Sequence, residues 1–168
     1  VLQSSQPSSV GASTKFNALA AGKVEEDGRT LHLKNVCGLI SLNITDSDIT
    51  SVTLYGNSGE QLAGKLTAAF NEHGIPVVSS TEGSNMVRIV PLKGSTFNPG
   101  TYYFTIPPAE FKEGLTLLFT NSASQFATLG SKAPFVVERS CISALPAGTL
   151  TFGGKVVELT FIRDIGSF

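Results

Sequence analysis

From residue 16 onward, short apolar runs alternate with turn-forming residues along the chain. Within these runs every second residue is apolar, as for Val52 and Leu54 or along 102–106. A period of two is typical of a strand with one buried face, and no window carries the apolar stripe of an amphipathic helix. The pattern predicts one all-β domain over 16–168, an antiparallel β-sandwich of about seven to eight strands, with the last strand at about 155–163.

The segment "KNVCGLISLNI", residues 34–44, carries no charge after its opening lysine. Leu31 and Leu33 before it share one face of a strand. The residues expected on the opposite face of the strand are Val36, Gly38, Ile40, Leu42 and Ile44. Because a shift of one residue turns a strand over, we expect a bulge or bend near Lys34–Asn35. The run is too short to cross a bilayer, so its lack of charge predicts burial, and Gly38 predicts a close approach by a neighbouring layer.

The segment "ITSVTLYGNSGEQLAGKL", residues 49–66, contains two strand-like runs around a turn rich in glycine. Asn57 and the two glycines of this turn adopt positive φ readily. The second run continues with Leu66, Ala68 and Phe70 in phase. The segment therefore predicts a hairpin between its two runs.

Residues 1–15, "VLQSSQPSSVGASTK", are polar and rich in serine. They predict a linker or the tail of a preceding segment. The chain does not open with Met and has no signal-like start, so we expect it to be a processed piece whose export signal or anchor lies outside it.

The formal net charge of −1 gives no electrostatic reason to expect a nucleic acid or an anionic membrane as partner. Charged residues make up 15% of the chain, against roughly 25% in an ordinary globular domain. Ser, Thr, Gly and Asn replace them, which is a surface chemistry common in extracellular all-β proteins.

Two cysteines, Cys37 and Cys141, lie far apart in the sequence and form no CxxC motif. This spacing argues against zinc and thioredoxin-type sites. The residues leave two alternatives, a disulfide between distant strands or two buried thiols.

No residue pattern indicates catalysis. The chain lacks a GxSxG nucleophile motif, a P-loop and a dinucleotide fingerprint. His32 is expected at a strand surface and His73 in a loop, while Asp46 and Asp48 lack the glycine and distal glutamate of a calcium loop and predict a polar turn. We expect no enzyme activity, no catalytic residues, no cofactor and no metal.

Several segments, in this order, resemble the fimbrillin-like family of Bacteroides-type bacteria, whose members are fimbrial subunits and adhesin-like surface lipoproteins. The first is "LHLKNVCGLISL", after an upstream "LQSSQP"; the next are "ITSVTLYGNSGEQLAGKL", "IVPLKGSTFNPGTYYFTIPPAEFKEGLTLLFT" and "KAPFVVERSCISAL". The resemblance runs from about Gln6 to Leu145. It implies a transthyretin-like β-sandwich and a structural role at the cell surface or outer membrane.

The resemblance further implies other fimbrial subunits as partners, assembled by addition of a β-strand from one subunit to the sheet of another. The alternation of Val157, Leu159 and Phe161 predicts either such a donor strand or the terminal strand of the domain. Attachment to the outer membrane would then use only a segment missing from this chain.

The alternative function is a stand-alone surface lipoprotein that binds a glycan or host protein. Sugar sites favour exposed aromatic side chains. The chain has no Trp, so Tyr55 and Tyr103 are the candidates for such a contact.

Overall fold

The computed structural model describes residues 1–12, 19–146, 148–153 and 156–158, the last three by their backbone only. These residues form strands and turns, with no helix among them. The strands, numbered in chain order, are β1 Ser5–Ser8, β2 Ala20–Ala21, β3 Lys34–Asn35, β4 Gly38–Ile44, β5 Ile49–Gly56, β6 Ala63–Phe70, β7 Pro76–Ser84, β8 Met86–Pro91, β9 Gly100–Ile106, β10 Ala109–Phe111, β11 Leu115–Asn121, β12 Phe126–Ser131, β13 Phe135–Val137, β14 Ile142–Ala144 and β15 Val156–Glu158.

Two sheets dominate the described part of the chain. The larger has the strand order β1-β8-β5-β11-β12-β15, and the smaller has the order β14-β4-β9. Pairing is antiparallel in the interior of the larger sheet and parallel at both of its ends. Three two-stranded ribbons, β2–β3, β6–β7 and β10–β13, complete the described fold.

The all-β, sandwich-like fold expected from the period of two is confirmed. The strand number is higher than the seven to eight predicted, because several strands are only two to four residues long. Such short strands contain too few alternating positions to give a sequence signal. The transthyretin-like arrangement stays a prediction.

The alternating side chains of both sheets meet in one large apolar core. Leu115, Leu117 and Phe119 of β11 lie in it together with Tyr102 and other residues of β9. Burying each of these side chains stabilises the fold by roughly 1.5–3 kcal/mol relative to leaving it exposed. The buried members are Ile40, Leu42, Ile44, Ile49, Val52, Leu54, Leu62, Val87, Ile89, Phe97, Tyr102, Phe104, Ile106, Phe111, Leu115, Leu117, Phe119, Ala127, Leu129, Phe135, Val137 and Leu145.

The uncharged run at 34–44 changes partners partway along. Its first two residues pair with β2, and from Gly38 onward it pairs with β9. The break falls at Val36 and Cys37, just after the position predicted for a bend. A Cβ on Gly38 would overlap the carbonyl oxygen of Glu138 and lie 2.6 Å from Val137 Cγ1. The predicted close approach at Gly38 is therefore confirmed.

The hairpin predicted between the two runs of residues 49–66 is wrong. β5 already has β8 on one side and β11 on the other, so neither of its edges is available to β6. β6 pairs with β7 instead, around a turn in which Asn71 Oδ1 accepts hydrogen bonds from the backbone N–H groups of His73 and Ile75, at 3.0 and 2.9 Å. The side chains of β6 lie outside the main core, and Ala68 is exposed.

Residues 1–15 are predicted to be a linker or the tail of a preceding segment, and their described part is not a free linker. Ser5–Ser8 forms β1 and pairs with β8 in the larger sheet. Residues 13–18 lie outside the described part of the chain, so the predicted domain start at residue 16 stays a prediction.

Where the structure describes the chain, it contains no helix that is both long and apolar enough to span a membrane.

Candidate functional site: the edge covered by the N-terminal strand

Among the described strands, β1 lies at one end of the larger sheet and has β8 as its neighbour there. The pairing is parallel, with Gln6 opposite Ile89. The N–H of Arg88 donates to the carbonyl of Ser4 at 2.7 Å, and the N–H of Leu92 donates to the carbonyl of Ser8 at 2.8 Å. β1 therefore covers the outer edge of β8 with a segment of only four residues.

The side chain of Gln6 links this strand to the second sheet. Its Oε1 accepts a hydrogen bond from the N–H of Thr105 at 3.0 Å, and its Nε2 donates to the carbonyl of the same residue at 2.7 Å. Nε2 also donates to the carbonyl of Gln3 at 3.1 Å. Gln6 is 1% exposed. One buried amide thus takes the place of a neighbouring strand on the outer side of β9, because it satisfies a backbone donor and a backbone acceptor together.

Both ends of the N-terminal segment are also attached to other strands. Leu2 exchanges two backbone hydrogen bonds with Gly64 of β6, each 2.8 Å long. At the other end, the N–H of Gly11 donates to the carbonyl of Thr101 of β9 at 2.9 Å. Residues 2–11 therefore bridge the β6–β7 ribbon, the larger sheet and the smaller sheet.

The end of β1 borders an open cleft of about 450 Å³. Ser8 lines this cleft and is 3% exposed, yet its Oγ has no hydrogen-bond partner within the described part of the chain. A buried hydroxyl without a partner costs roughly 1–3 kcal/mol. Tyr102, also in the lining, has a raised pKa because it is buried, and its hydroxyl donates to the carbonyl of Asn98 at 2.7 Å. The Ser8 end of β1 therefore supplies its backbone hydrogen bond to Leu92 but carries one unpaired side-chain hydroxyl.

A second, smaller apolar cluster lies beneath the start of the N-terminal segment. Its buried members are Leu2, Val36 and Cys37, and Leu66 and Val78 of the β6–β7 ribbon pack against it. Cys37 therefore shares this cluster with Leu2, a residue of the segment that covers the sheet edge.

Cys37 and Cys141 are both present as thiols. Their chain segments are adjacent, since the N–H of Ser140 donates to the Cys37 carbonyl and the N–H of Leu39 donates to the Cys141 carbonyl, at 3.0 and 2.9 Å. Cys37 is buried and Cys141 is half-buried. Burial raises the pKa of the Cys37 thiol to about 12.

Alkylation of the folded protein with iodoacetamide near pH 8 is expected to modify Cys141 much faster than Cys37. Only the thiolate reacts, and with a pKa of about 12 the thiolate of Cys37 amounts to roughly one part in 10⁴ at that pH. Mass spectrometry of the two cysteine peptides measures the rates, and a Cys141→Ser variant isolates the slow site. Equal rates in the folded protein, with both sites reactive in denaturant, would contradict the burial of Cys37.

Of the remaining residues singled out in the sequence, the two histidines share a cleft and the others lie elsewhere. His32 and His73 are exposed, as expected, although His32 precedes β3 and does not lie on a strand. Their rings lie 3.3 and 3.4 Å from the carboxylates of Glu25 and Glu72. Both histidines line a second open cleft, of about 560 Å³. Among the described residues, no group of three or more His, Cys, Asp or Glu side chains is arranged to hold a metal.

Asp46 and Asp48 lie in the turn between β4 and β5, as predicted. Asp46 Oδ1 accepts a hydrogen bond from the N–H of Asp48 at 2.9 Å, and Asp48 Oδ1 accepts one from the hydroxyl of Ser122. Tyr55 and Tyr103 are half-buried on their strands and line neither of the two clefts.

In the tail, the backbone of Val157 lies in β15, opposite Leu129 in a parallel pairing with β12. Leu159 and Phe161 lie outside the described residues.

The buried residues of β1 escaped sequence reasoning because they are polar. Gln6 and Ser8 alternate in the correct phase, but a run of Ser, Gln and Pro is typical of a linker. The only available signal was Leu2, a single apolar residue four positions before Gln6.

A scan of protein-family models, a search of curated proteins and a search of solved structures each found no match to this chain.

Proposed function

We propose that this protein is a structural subunit or accessory adhesin of bacterial surface fimbriae, and that it assembles by β-strand addition at the edge covered by β1. Other subunits of the fimbria are its partners, and its place is the cell surface. The sequence resemblance suggests this class of protein, and the geometry of β1 supports the mode of assembly.

The observation that carries the proposal is the position of β1. It is a short end strand, and the two strands it covers belong to different sheets. Withdrawal of residues 1–12 would leave backbone groups of both β8 and β9 without these partners. An edge of this kind accepts an extended segment of another chain, because backbone hydrogen bonds supply affinity and alternate side chains enter the groove.

The unpaired hydroxyl at the Ser8 end of β1 also supports replacement of β1 by a strand of another subunit. The hydroxyl of Ser8 is buried without a partner beside a cleft of about 450 Å³. A segment that leaves a polar atom unpaired binds less tightly than one that satisfies it. The unpaired hydroxyl therefore lowers the free-energy cost of releasing β1 from this edge, which is the step that strand addition requires.

The test is to link β1 covalently to β8 in the full-length protein at the bacterial surface. Ser5 and Arg88 are opposite each other in the pairing and both are exposed, so Ser5→Cys with Arg88→Cys places two thiols in a geometry suited to a disulfide. We expect unboiled SDS gels to show a ladder of heat-sensitive bands for the parent protein. The oxidised double variant should give a monomer band, and its reduction before assembly should restore the ladder.

The single variant Ser5→Cys is the control and should behave like the parent. A ladder that persists in the oxidised double variant would show that assembly uses another surface. A monomer band for the parent protein would contradict a stalk role and favour a stand-alone surface lipoprotein that binds a glycan or host protein.

A further inference from the structure

The outer edge of β9 is satisfied by a side chain at Thr105 and not by a strand. Thr105 is 3% exposed, so water cannot readily replace the two hydrogen bonds that Gln6 makes to its backbone. Any segment that occupies the groove between β8 and β9 must therefore satisfy the same N–H and C=O groups.

Few side chains can do so. To satisfy the N–H and the C=O of Thr105 together, a side chain needs a donor and an acceptor on one planar group. The two must be as far apart as the N–H and C=O of a single residue. Asn and Gln carry both functions, whereas a carboxylate only accepts and an apolar side chain does neither. Among these, Gln has the length that spans from β1 to Thr105 in this structure.

We propose that this edge selects its strand by a buried amide opposite Ile89, and that the strand it fits is the N-terminal segment of a second copy of this chain. The inference rests on the proposed function, since it names the partner of the same edge. It adds a specificity-determining residue, Gln6, which acts through the backbone of Thr105.

Residues 1–12 match the groove at three positions along their length. Leu2 enters the small cluster around Cys37, Gln6 bonds Thr105, and Gly11 bonds Thr101. A second copy presents the same three residues at the same spacing. Insertion of one copy's segment into the next is a head-to-tail contact, which extends into an open chain when its rotation does not close a ring.

The tail of the chain is a weaker candidate for the same groove. Residues 156–168 contain neither Asn nor Gln. With Val157, Leu159 and Phe161 inward, the tail would bury apolar side chains but leave the backbone of Thr105 unpaired. It would therefore lose the interaction that Gln6 supplies.

The experiment is strand exchange in solution, starting from the complete folded chain. A protease site placed within residues 13–18 allows the chain to be cut after folding, which leaves residues 1–12 held only by noncovalent contacts. A fluorescent peptide of residues 1–12 is then added, and unlabelled peptides compete with it in an anisotropy measurement. The rate of Cys37 alkylation reports release of the segment independently, because Leu2 and Cys37 belong to the same small buried cluster.

We expect the peptide with Gln6→Leu to compete at least about 30-fold less well than the parent peptide, although leucine is the more apolar residue. Gln6→Glu should also be weakened, because a carboxylate cannot donate to the Thr105 carbonyl. The control peptide with Ser4→Ala changes an exposed side chain and should compete within about twofold of the parent. A peptide of residues 156–168 should compete no better than the Gln6→Leu peptide.

Two results would overturn the inference, and they are distinguishable. If the parent peptide exchanges but Gln6→Leu competes within about threefold of it, selection by the amide is wrong while strand addition at this edge stands. If the cut chain stays folded and no peptide exchanges, strand addition at this edge is wrong as well.

If the cut protein unfolds, the alkylation rate of Cys37 in the uncut chain provides a second test. In the complete chain, Gln6→Leu should raise the alkylation rate of Cys37 by about tenfold or more, and Ser4→Ala should leave it unchanged. An unchanged rate in the Gln6→Leu chain would show that the amide does not hold the segment in place.

Discussion

Replacing Phe104 by alanine is expected to lower the free energy of unfolding by about 3–5 kcal/mol. Phe104 is fully buried near the middle of β9 and lies in the core that joins both sheets. Truncation to alanine removes most of its apolar surface and leaves a cavity that the surrounding strands fill only in part. Urea unfolding followed by fluorescence or circular dichroism measures the difference in midpoint and slope.

Phe126 provides the matched control for this substitution. It has the same side chain, also lies on a strand, and is 54% exposed. Phe126→Ala should therefore change the free energy of unfolding by less than about 1 kcal/mol. Similar losses for the two variants would contradict the position of β9 in the core.

Replacing Gly38 by alanine is expected to cost about 3 kcal/mol of stability, at the upper end of the usual cost of overpacking. The added methyl group would overlap the carbonyl oxygen of Glu138, which is a backbone atom and cannot rotate away. Relief requires movement of the segment before β14, which pairs with β4 in parallel. The same unfolding titration measures this loss.

Gly130 of β12 is a suitable control because it is also a buried strand glycine. An added Cβ there would lie 3.3 Å from Thr116 Oγ1, a side-chain atom that is able to shift, and 3.7 Å from the nearest backbone oxygen. Gly130→Ala should cost less than about 1 kcal/mol. If Gly38→Ala were as mild as this control, the close approach at Gly38 would be wrong.

The fold class was predictable because apolar and polar residues alternate along each long strand. Val52 and Leu54 alternate with polar residues in the sequence and are buried together. Partner choice was less predictable, since it depends on which edges are already occupied. The hairpin predicted between residues 49–56 and 63–70 failed for this reason: both edges of β5 are occupied by other strands.

The candidate site was invisible to sequence reasoning for a different reason. Burial of Gln6 depends on Thr105, a residue 99 positions away, and no local pattern records that contact. A polar residue is expected at the surface unless a specific partner is known. The cysteines illustrate the same limit, because their number and spacing are visible in the sequence, whereas the difference in burial between Cys37 and Cys141 is not.

The long separation between Gln6 and Thr105 also constrains the order of folding during synthesis. At about 5–20 residues per second, residues 1–12 wait roughly 5–20 s before Thr105 has been made. Hairpins such as β6–β7 form in microseconds once both of their strands are present. Closure of the edge between β8 and β9 therefore comes late, and until it does the N-terminal segment of one chain and the groove of another are both unoccupied.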